Sequence, residues 1–298
     1  MLSCNEYVSA GSVAEALTLA HARARRCRFI AGGTDLLPYS REMRGGDLHC
    51  DTLIDVVRIP ELRKVRVEGD RLTIGAATTF EDFLRVPELL LYASILGKCA
   101  ILVGDDQIRH HATIGGNIVN ASPAADGTVA LLSLDAEVII DRWEKGNRMQ
   151  RSVPLEEFVT SPGSTSLAEG ELLSAISCDA LTPDFGTAFR KVGRRRSLIV
   201  AVASVAAVVK LTADRSCFAD VRLSVGAVSG VPARLGECEA LLNGEPVSAE
   251  IISEAARLAR SSVASRTRQQ YRKDVVEAFI GSAINEAMDA AKGEDAYD

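Results

Sequence analysis

The chain has 298 residues, enough for two compact domains or one large domain with a satellite. A hydrophobic share of 47% and a charged share of 25% mark an ordinary globular protein and exclude collagen-like, coiled-coil and wholly disordered classes. The net charge of −6 argues against a general nucleic-acid role, which draws its affinity from Lys and Arg on phosphates, while leaving room for an anionic cofactor held by local backbone N–H groups.

Residues 1–10 carry no basic stretch followed by an apolar run, so no signal peptide is expected. The most apolar stretch, residues 198–209, is shorter than the roughly 20 residues a membrane span needs, so no span and a cytoplasmic location are expected. Cysteines stand at 4, 27, 50, 99, 178, 217 and 238, with no Cys-x-x-Cys pair and no histidine at ligand spacing. Reduced buried thiols are the expectation, and a disulfide framework, zinc site or iron–sulfur site within this chain is not.

In chain order, residues 12–25 read as a helix, with Val13, Ala16, Leu17 and Ala20 on one face and Ser12 and Glu15 as a capping box. A short buried strand at residues 28–31 stops at Gly32-Gly33, and residues 53–56 form another. Residues 65–68 and 71–74 flank Gly69-Asp70 as a hairpin. Helices are expected over 79–86, opened by Thr79 and Asp82, and over 88–99. Residues 104–127, rich in Gly, Asn, Ser and Asp, read as loop. Strands follow at 136–141 and 171–178, with a short helix entered through Pro154 between them. Composition shifts near Leu181-Thr182-Pro183-Asp184, where a domain boundary is placed. Beyond it come residues 187–192, the apolar run 198–211, a strand over 220–228, and helical patterning from Glu237 onward. Residues 292–298 read as a frayed acidic tail.

Two segments carry the chemistry: Ala31-Gly32-Gly33-Thr34-Asp35 and Thr113-Ile114-Gly115-Gly116-Asn117. Glycine permits positive φ and close backbone approach, and successive N–H groups in such a turn form an anion nest. Thr34 could add a hydroxyl, Asp35 could turn inward to fix the loop, and Thr113 and Asn117 flank the second pair. Neither segment is the Gly-x-Gly-x-x-Gly dinucleotide pattern. By spacing alone, each Gly-Gly is a phosphate loop or merely a tight turn.

Other features are less directive. Arg194-Arg195-Arg196 is a docking patch or a solvated turn. His110-His111 precede the second segment and could tune a cofactor or meet a metal, although no third ligand is in view. Asp105-Asp106 read as loop structure, since adjacent carboxylates seldom converge on one substrate atom.

The two glycine segments, with Leu36-Leu37-Pro38 after the first and Gln107-Ile108-Arg109 before the second, resemble the FAD-binding subunit of the molybdenum hydroxylases. That family includes carbon monoxide dehydrogenase medium subunits and bacterial xanthine dehydrogenase flavin subunits. The similarity runs on through Asn120-Ala121-Ser122-Pro123-Ala124-Ala125-Asp126, Ser161-Pro162-Gly163, Glu171-Leu172-Leu173, the segment from Ala188 to Arg195, and Tyr271-Arg272, covering nearly the whole chain in the family's order.

The resemblance implies an α+β protein with a vanillyl-alcohol-oxidase-type FAD-binding fold. Two α+β subdomains would occupy residues 1–180, split near 57, followed by a small sheet with helices over 181–291. It implies FAD contacts from Ile30, Ala31, Gly32, Gly33, Thr34, Asp35 and Leu36, and from Thr113, Ile114, Gly115, Gly116 and Asn117. It adds Asp126, Leu173 on the adenine side, and a basic contact from Lys191 or its neighbour Arg190. It further implies electron transfer through FAD to an external acceptor. A large subunit would hold the molybdenum cofactor and a small one 2Fe–2S clusters, in a dimer of heterotrimers. A stand-alone flavin-dependent oxidoreductase of the same superfold, or a non-enzymatic nucleotide-binding subunit, are the alternatives.

Overall fold

A computed structural model describes residues 2–22, 27–41, 48–193 and 200–293. The chain opens with strand β1 (Leu2–Ser9), helix α1 (Val13–Ala22), strand β2 (Cys27–Ile30), helix α2 (Leu36–Arg41) and strand β3 (Leu48–Asp55). The strands form a parallel sheet of order β1-β3-β2. Helix α1 buries the expected face of Val13, Ala16, Leu17 and Ala20. Its cap is wider than a simple box: Ser12 Oγ accepts from Glu15 N–H at 3.1 Å, and the Glu15 carboxylate accepts from Gly11 N–H at 2.8 Å.

The second unit runs through β4 (Val65–Glu68), β5 (Arg71–Gly75), α3 (Pro87–Tyr92), α4 (Ser94–Ala100), α5 (Asp106–His111), α6 (Ile114–Val119) and α7 (Asp126–Leu132). It continues with β6 (Glu137–Glu144), β7 (Asn147–Pro154), α8 (Leu155–Phe158), the ladder of β8 (Val159–Ser161) and β9 (Ser164–Thr165), and β10 (Leu172–Asp179). Its main sheet is antiparallel, of order β4-β5-β10-β6-β7. Gly69, at φ +65°, makes the β4–β5 hairpin turn as expected.

Three expectations need correction here. The helix over 79–86 is only a 3-10 turn, Asp82–Leu84. Thr79 and Asp82 do bond reciprocally, at 2.8 and 3.2 Å, but Pro87 forces Val86 into an extended conformation and stops the helix. The helix over 88–99 is two helices broken at Ala93, where the Tyr92 carbonyl is taken by Leu181 N–H at 2.9 Å. The stretch 104–127 is not loop: α5 and α6 lie within it and α7 begins there. Asp105 caps α5, accepting from Ile108 N–H at 2.9 Å, and Thr113 caps α6.

The last unit is an antiparallel sheet of β11 (Phe185–Gly193), β12 (Ala201–Leu211), β13 (Phe218–Gly226) and β14 (Ala233–Arg234). Helices α9 (Gly236–Leu242), α10 (Ala249–Leu258) and α11 (Gln269–Ala291) pack with it. Strand β12 explains the unbroken apolar run. Val205, Ala207 and Val209 enter the core shared with these helices, while Ala206 and Val208 join the core of the second unit. Residues 194–196, the arginine patch, and 294–298 of the expected tail lie outside the described residues.

Helix α11 lies against β11 so closely that a Cβ on Gly186 would come within 1.8 Å of the Ala287 carbonyl oxygen. Gly186→Val should therefore cost about 3 kcal/mol or more, read as a lowered urea midpoint. Gly236→Ala, whose added Cβ meets nothing within 4 Å, should leave the midpoint unlowered.

Candidate functional site

Strand β2 ends at Ile30, and the chain turns through residues 31–35 into α2. Gly33 takes φ +68°, in the left-handed region that favours glycine, and its carbonyl accepts from Leu37 N–H at 3.0 Å. The backbone N–H groups of Gly32, Gly33, Thr34 and Asp35 donate to no protein acceptor among the described residues. A Cβ on Gly32 would sit 1.7 Å from the His111 carbonyl oxygen, so the missing side chain lets this turn press on the end of α5.

The second glycine segment works differently. Ile114 N–H donates to Thr78 O and Gly115 N–H to Ala76 O, both at 2.9 Å. Gly116 N–H donates to Thr113 Oγ1 at 3.1 Å, and Asn117 N–H to Thr113 O at 2.9 Å. These donors are consumed by the fold, which leaves no nest there. Gly115 instead seats α6 on the chain leaving β5, since a Cβ there would lie 2.7 Å from Ala76 atoms. The segment offers side chains and close approach. Asn117 Oδ1 accepts from Thr128 N–H at 3.2 Å, which orients the amide. Asp35 ties the first segment to the end of α6 by accepting from Asn120 Nδ2 at 3.2 Å; burial pushes its carboxyl above the ordinary value.

Between the first two units lies a cavity of about 1050 Å³, at the upper end of the roughly 300–1,000 Å³ common for small-molecule sites. Ile30, Ala31, Gly32, Gly33, Thr34, Asp35, Leu36, Thr113, Gly115, Gly116, Asn117 and Leu173 all line it. Ile114 does not, being wholly buried in the core beneath α6. The lining also includes Arg28, Val103, Gly104, Ser122, Pro123, Gly163, Leu167, Glu169, Gly170 and Glu171, none of which sequence reasoning assigned a site role. The resembling segments through Ser122-Pro123, Gly163 and Glu171 carried the available signal for some of them. Arg28 is the one cationic side chain in the wall among the described residues.

Asp126, Arg190 and Lys191 stand outside that wall. Asp126 and Lys191 form an ion pair at 2.6 Å, with side chains 8% and 3% exposed, and Lys191 also donates to Leu102 O at 2.8 Å. Leu102 immediately precedes the wall residues Val103 and Gly104. Burial raises the Asp126 carboxyl's pKa, and the Lys191 charge and hydrogen bond oppose that rise. Arg190, next along β11, points the other way and pairs with Glu286 on α11 at 2.5 Å.

His110 and His111 end α5, and the His110 ring bonds the Asp106 carbonyl at 2.7 Å. No cluster of three metal-ligating side chains occurs among the described residues, where all seven cysteines are free thiols.

Comparison with known proteins identifies the family. Residues 3–178 match the family described as the FAD binding domain in molybdopterin dehydrogenase. Residues 187–287 match the CO dehydrogenase flavoprotein C-terminal domain. The chain belongs to the FAD-binding medium subunits of the molybdenum hydroxylases. Among these it is 31% identical to the glyceraldehyde dehydrogenase medium chain of Sulfolobus acidocaldarius, covering 94% of this chain and 97% of that one. It is 29% identical to the nicotinate dehydrogenase FAD-subunit of Eubacterium barkeri, covering 89% of each. Among solved structures, carbon monoxide dehydrogenase from Hydrogenophaga pseudoflava superposes with a TM-score of 0.87 at 28% identity, covering 96% of this chain and 97% of its match. The FAD-binding α+β fold expected from the family is the fold observed.

Removing the Lys191 charge leaves Asp126 buried without its cation. Lys191→Met should cost about 3–5 kcal/mol at neutral pH, measured by urea unfolding. The deficit should grow as pH rises past the ordinary carboxylate range, where Asp126 must ionise unpaired, and shrink in acid or in the double variant with Asp126→Asn.

Proposed function

We propose that this chain is the FAD-binding electron-transfer subunit of a molybdenum-containing hydroxylase or dehydrogenase, passing electrons from iron–sulfur centres on a partner subunit through FAD to an external acceptor. The observation that carries this reading is the turn at residues 32–35, which lines a cavity of about 1050 Å³ and whose N–H groups meet no protein acceptor among the described residues. A dianionic pyrophosphate suits such a cradle, because the donors are held by the fold and no protein acceptor among the described residues uses them. Gly32, Gly33, Thr34 and Asp35 would supply those donors, and Thr113 and Asn117 would add polar side chains from the facing segment. Arg28 supplies positive charge to a wall that otherwise carries Asp35, Glu169 and Glu171. Leu173, with Leu172, gives the apolar surface suited to a ring system.

Asp126 and Lys191 would act from behind the wall at Leu102, and of the basic pair Lys191 is the one on the cavity's side. FAD, when bound, supplies reversible redox chemistry in two-electron or one-electron steps. The protein's task is to bind it, orient it and exclude water, for which no general base is needed. Residues up to 180 would hold the cofactor, and residues 181–291 would back the wall from β11.

The assembly we propose joins a large molybdenum-cofactor subunit and a small subunit with 2Fe–2S clusters, as a dimer of heterotrimers. The relatives' designations as medium chain and FAD-subunit support this reading. The solved carbon monoxide dehydrogenase is described as lacking the Mo-pyranopterin moiety of a molybdenum cofactor, which fits a molybdenum subunit in that complex. A cytoplasmic location agrees with the finding that no helix among the described residues is long and apolar enough to cross a membrane.

Purification should recover a yellow complex containing a large molybdenum chain and a small cysteine-rich chain. Rapid flavin turnover by the isolated chain alone would overturn the electron-transfer reading. Within the chain, Gly33→Ala strains a left-handed position and disturbs the N–H cradle. It should weaken FAD binding by about tenfold or more, followed by flavin fluorescence quenching, and unchanged affinity would remove this turn from the cofactor site.

A further inference from the structure

One wall of the cavity has no regular structure of its own. Leu167, Glu169, Gly170 and Glu171 form it between β9 and β10. Such a turn would be mobile if only its own backbone held it. It is instead clamped from across the sheet. On the edge strand β7, Arg151 pairs in register with Ile140 of β6, which pairs with Leu173 of β10. The Arg151 guanidinium reaches over β6: its Nε donates to Glu171 Oε1 at 2.9 Å and its Nη2 to Glu171 Oε2 at 2.6 Å. The same Nη2 donates to Ser166 O at 3.0 Å. Glu171 Oε2 also accepts from Ala168 N–H at 2.8 Å, and Glu171 N–H donates to Ala168 O at 3.1 Å. Both ends of the turn are thus tied to one planar fork, a geometry that lysine cannot reproduce in full.

We propose that Arg151 is a positioning residue for the cofactor: acting through Glu171, it fixes the turn 166–171 as the wall against which a ring system of the dinucleotide packs. This rests on the FAD reading. Arg151 itself does not line the cavity, whereas Glu171 and the following Leu172 and Leu173 do.

The electrostatics give the clamp a pH signature. The Arg151 hydrogen bond, followed by the Ala168 N–H, holds the Glu171 carboxyl below its ordinary value against the opposing effect of burial. The other charged groups nearby are Arg142 on β6, itself paired with Glu144 at 2.6 Å, and Glu169 within the turn. Because the Glu171 pKa is depressed in the fold, the clamp is complete above the ordinary carboxylate range. It is lost as pH falls through the depressed value. Without Arg151, burial is opposed only by the Ala168 N–H and the more weakly acting Arg142, and the loss moves to higher pH.

The test is FAD affinity as a function of pH for the full-length chain, read by fluorescence of free and bound flavin, in Arg151→Met, Arg151→Lys and Glu171→Gln. Arg151→Met should raise the Kd for FAD roughly tenfold or more at neutral pH. It should also move the acid limb of binding up by about one pH unit or more. Arg151→Lys should recover part of the affinity and return the limb toward the wild-type position, and Glu171→Gln should remove the limb. Wild-type affinity and profile in Arg151→Met would overturn the proposal, as would weaker binding with an unmoved profile in all three variants. If Arg151→Met fails to fold, the other two variants decide by the same criteria. A wild-type chain that takes up no FAD at any pH would instead overturn the FAD reading itself.

Discussion

The approach of Gly32 to the His111 carbonyl, with room for no atom beyond the α-hydrogens, is the constraint on which the site depends. It joins the parallel unit at the end of β2 to the helical segment of the antiparallel unit. With the turn pressed there, Asp35 reaches Asn120, and residues 32–35, whose N–H groups meet no protein acceptor among the described residues, line the cavity. The two glycine pairs therefore divide the work. One supplies donors, and the other supplies closeness, because Gly115 lets α6 sit on the backbone at Ala76. Pairs that look alike in sequence differ because hydrogen bonding in the fold consumes the N–H groups of only one.

Buried charge is paired in a consistent way. Asp126 with Lys191, Asp141 with Arg148, and Glu171 with Arg151 each pair a nearly inaccessible carboxylate with a cation from another strand or helix. Such pairs add little net stability over apolar replacements, but breaking one is costly. Their more telling property is registry. Asp126–Lys191 fixes β11, and with it the C-terminal sheet, against the start of α7 and the Leu102 carbonyl. Arg148 bonds Asp141 through both carboxylate oxygens at 2.8 Å, holding the β7 edge to β6. The apolar core gives the units their cohesion, and the ion pairs decide how their edges line up around the cleft.

How much was legible in the sequence varied with the kind of signal. Local rules read α1, the Gly69 hairpin and the Pro154-led helix correctly, because caps, turn residues and one-sided burial act over a few residues. They failed between residues 79 and 127, where glycine, proline and polar caps build short helices that resemble loop in composition. In the candidate site, most residues of both glycine segments and Leu173 line one cavity. Arg28 and the turn at 167–171 were not assigned, since their place in the wall depends on what lies across the cavity.

The sequence by itself determined the family, the α+β class and the presence of two glycine segments, because residue identity and order are enough for those. It left open which of the neighbours Arg190 and Lys191, whose side chains alternate along a strand, turns inward. Only the tertiary structure decided which one, by setting Asp126 opposite Lys191 and Glu286 opposite Arg190. It likewise decided that the first glycine turn keeps its donors and the second does not. The acceptors Thr78 and Ala76 lie more than thirty residues from Ile114 and Gly115, whose N–H groups they occupy, and no local rule reaches that far.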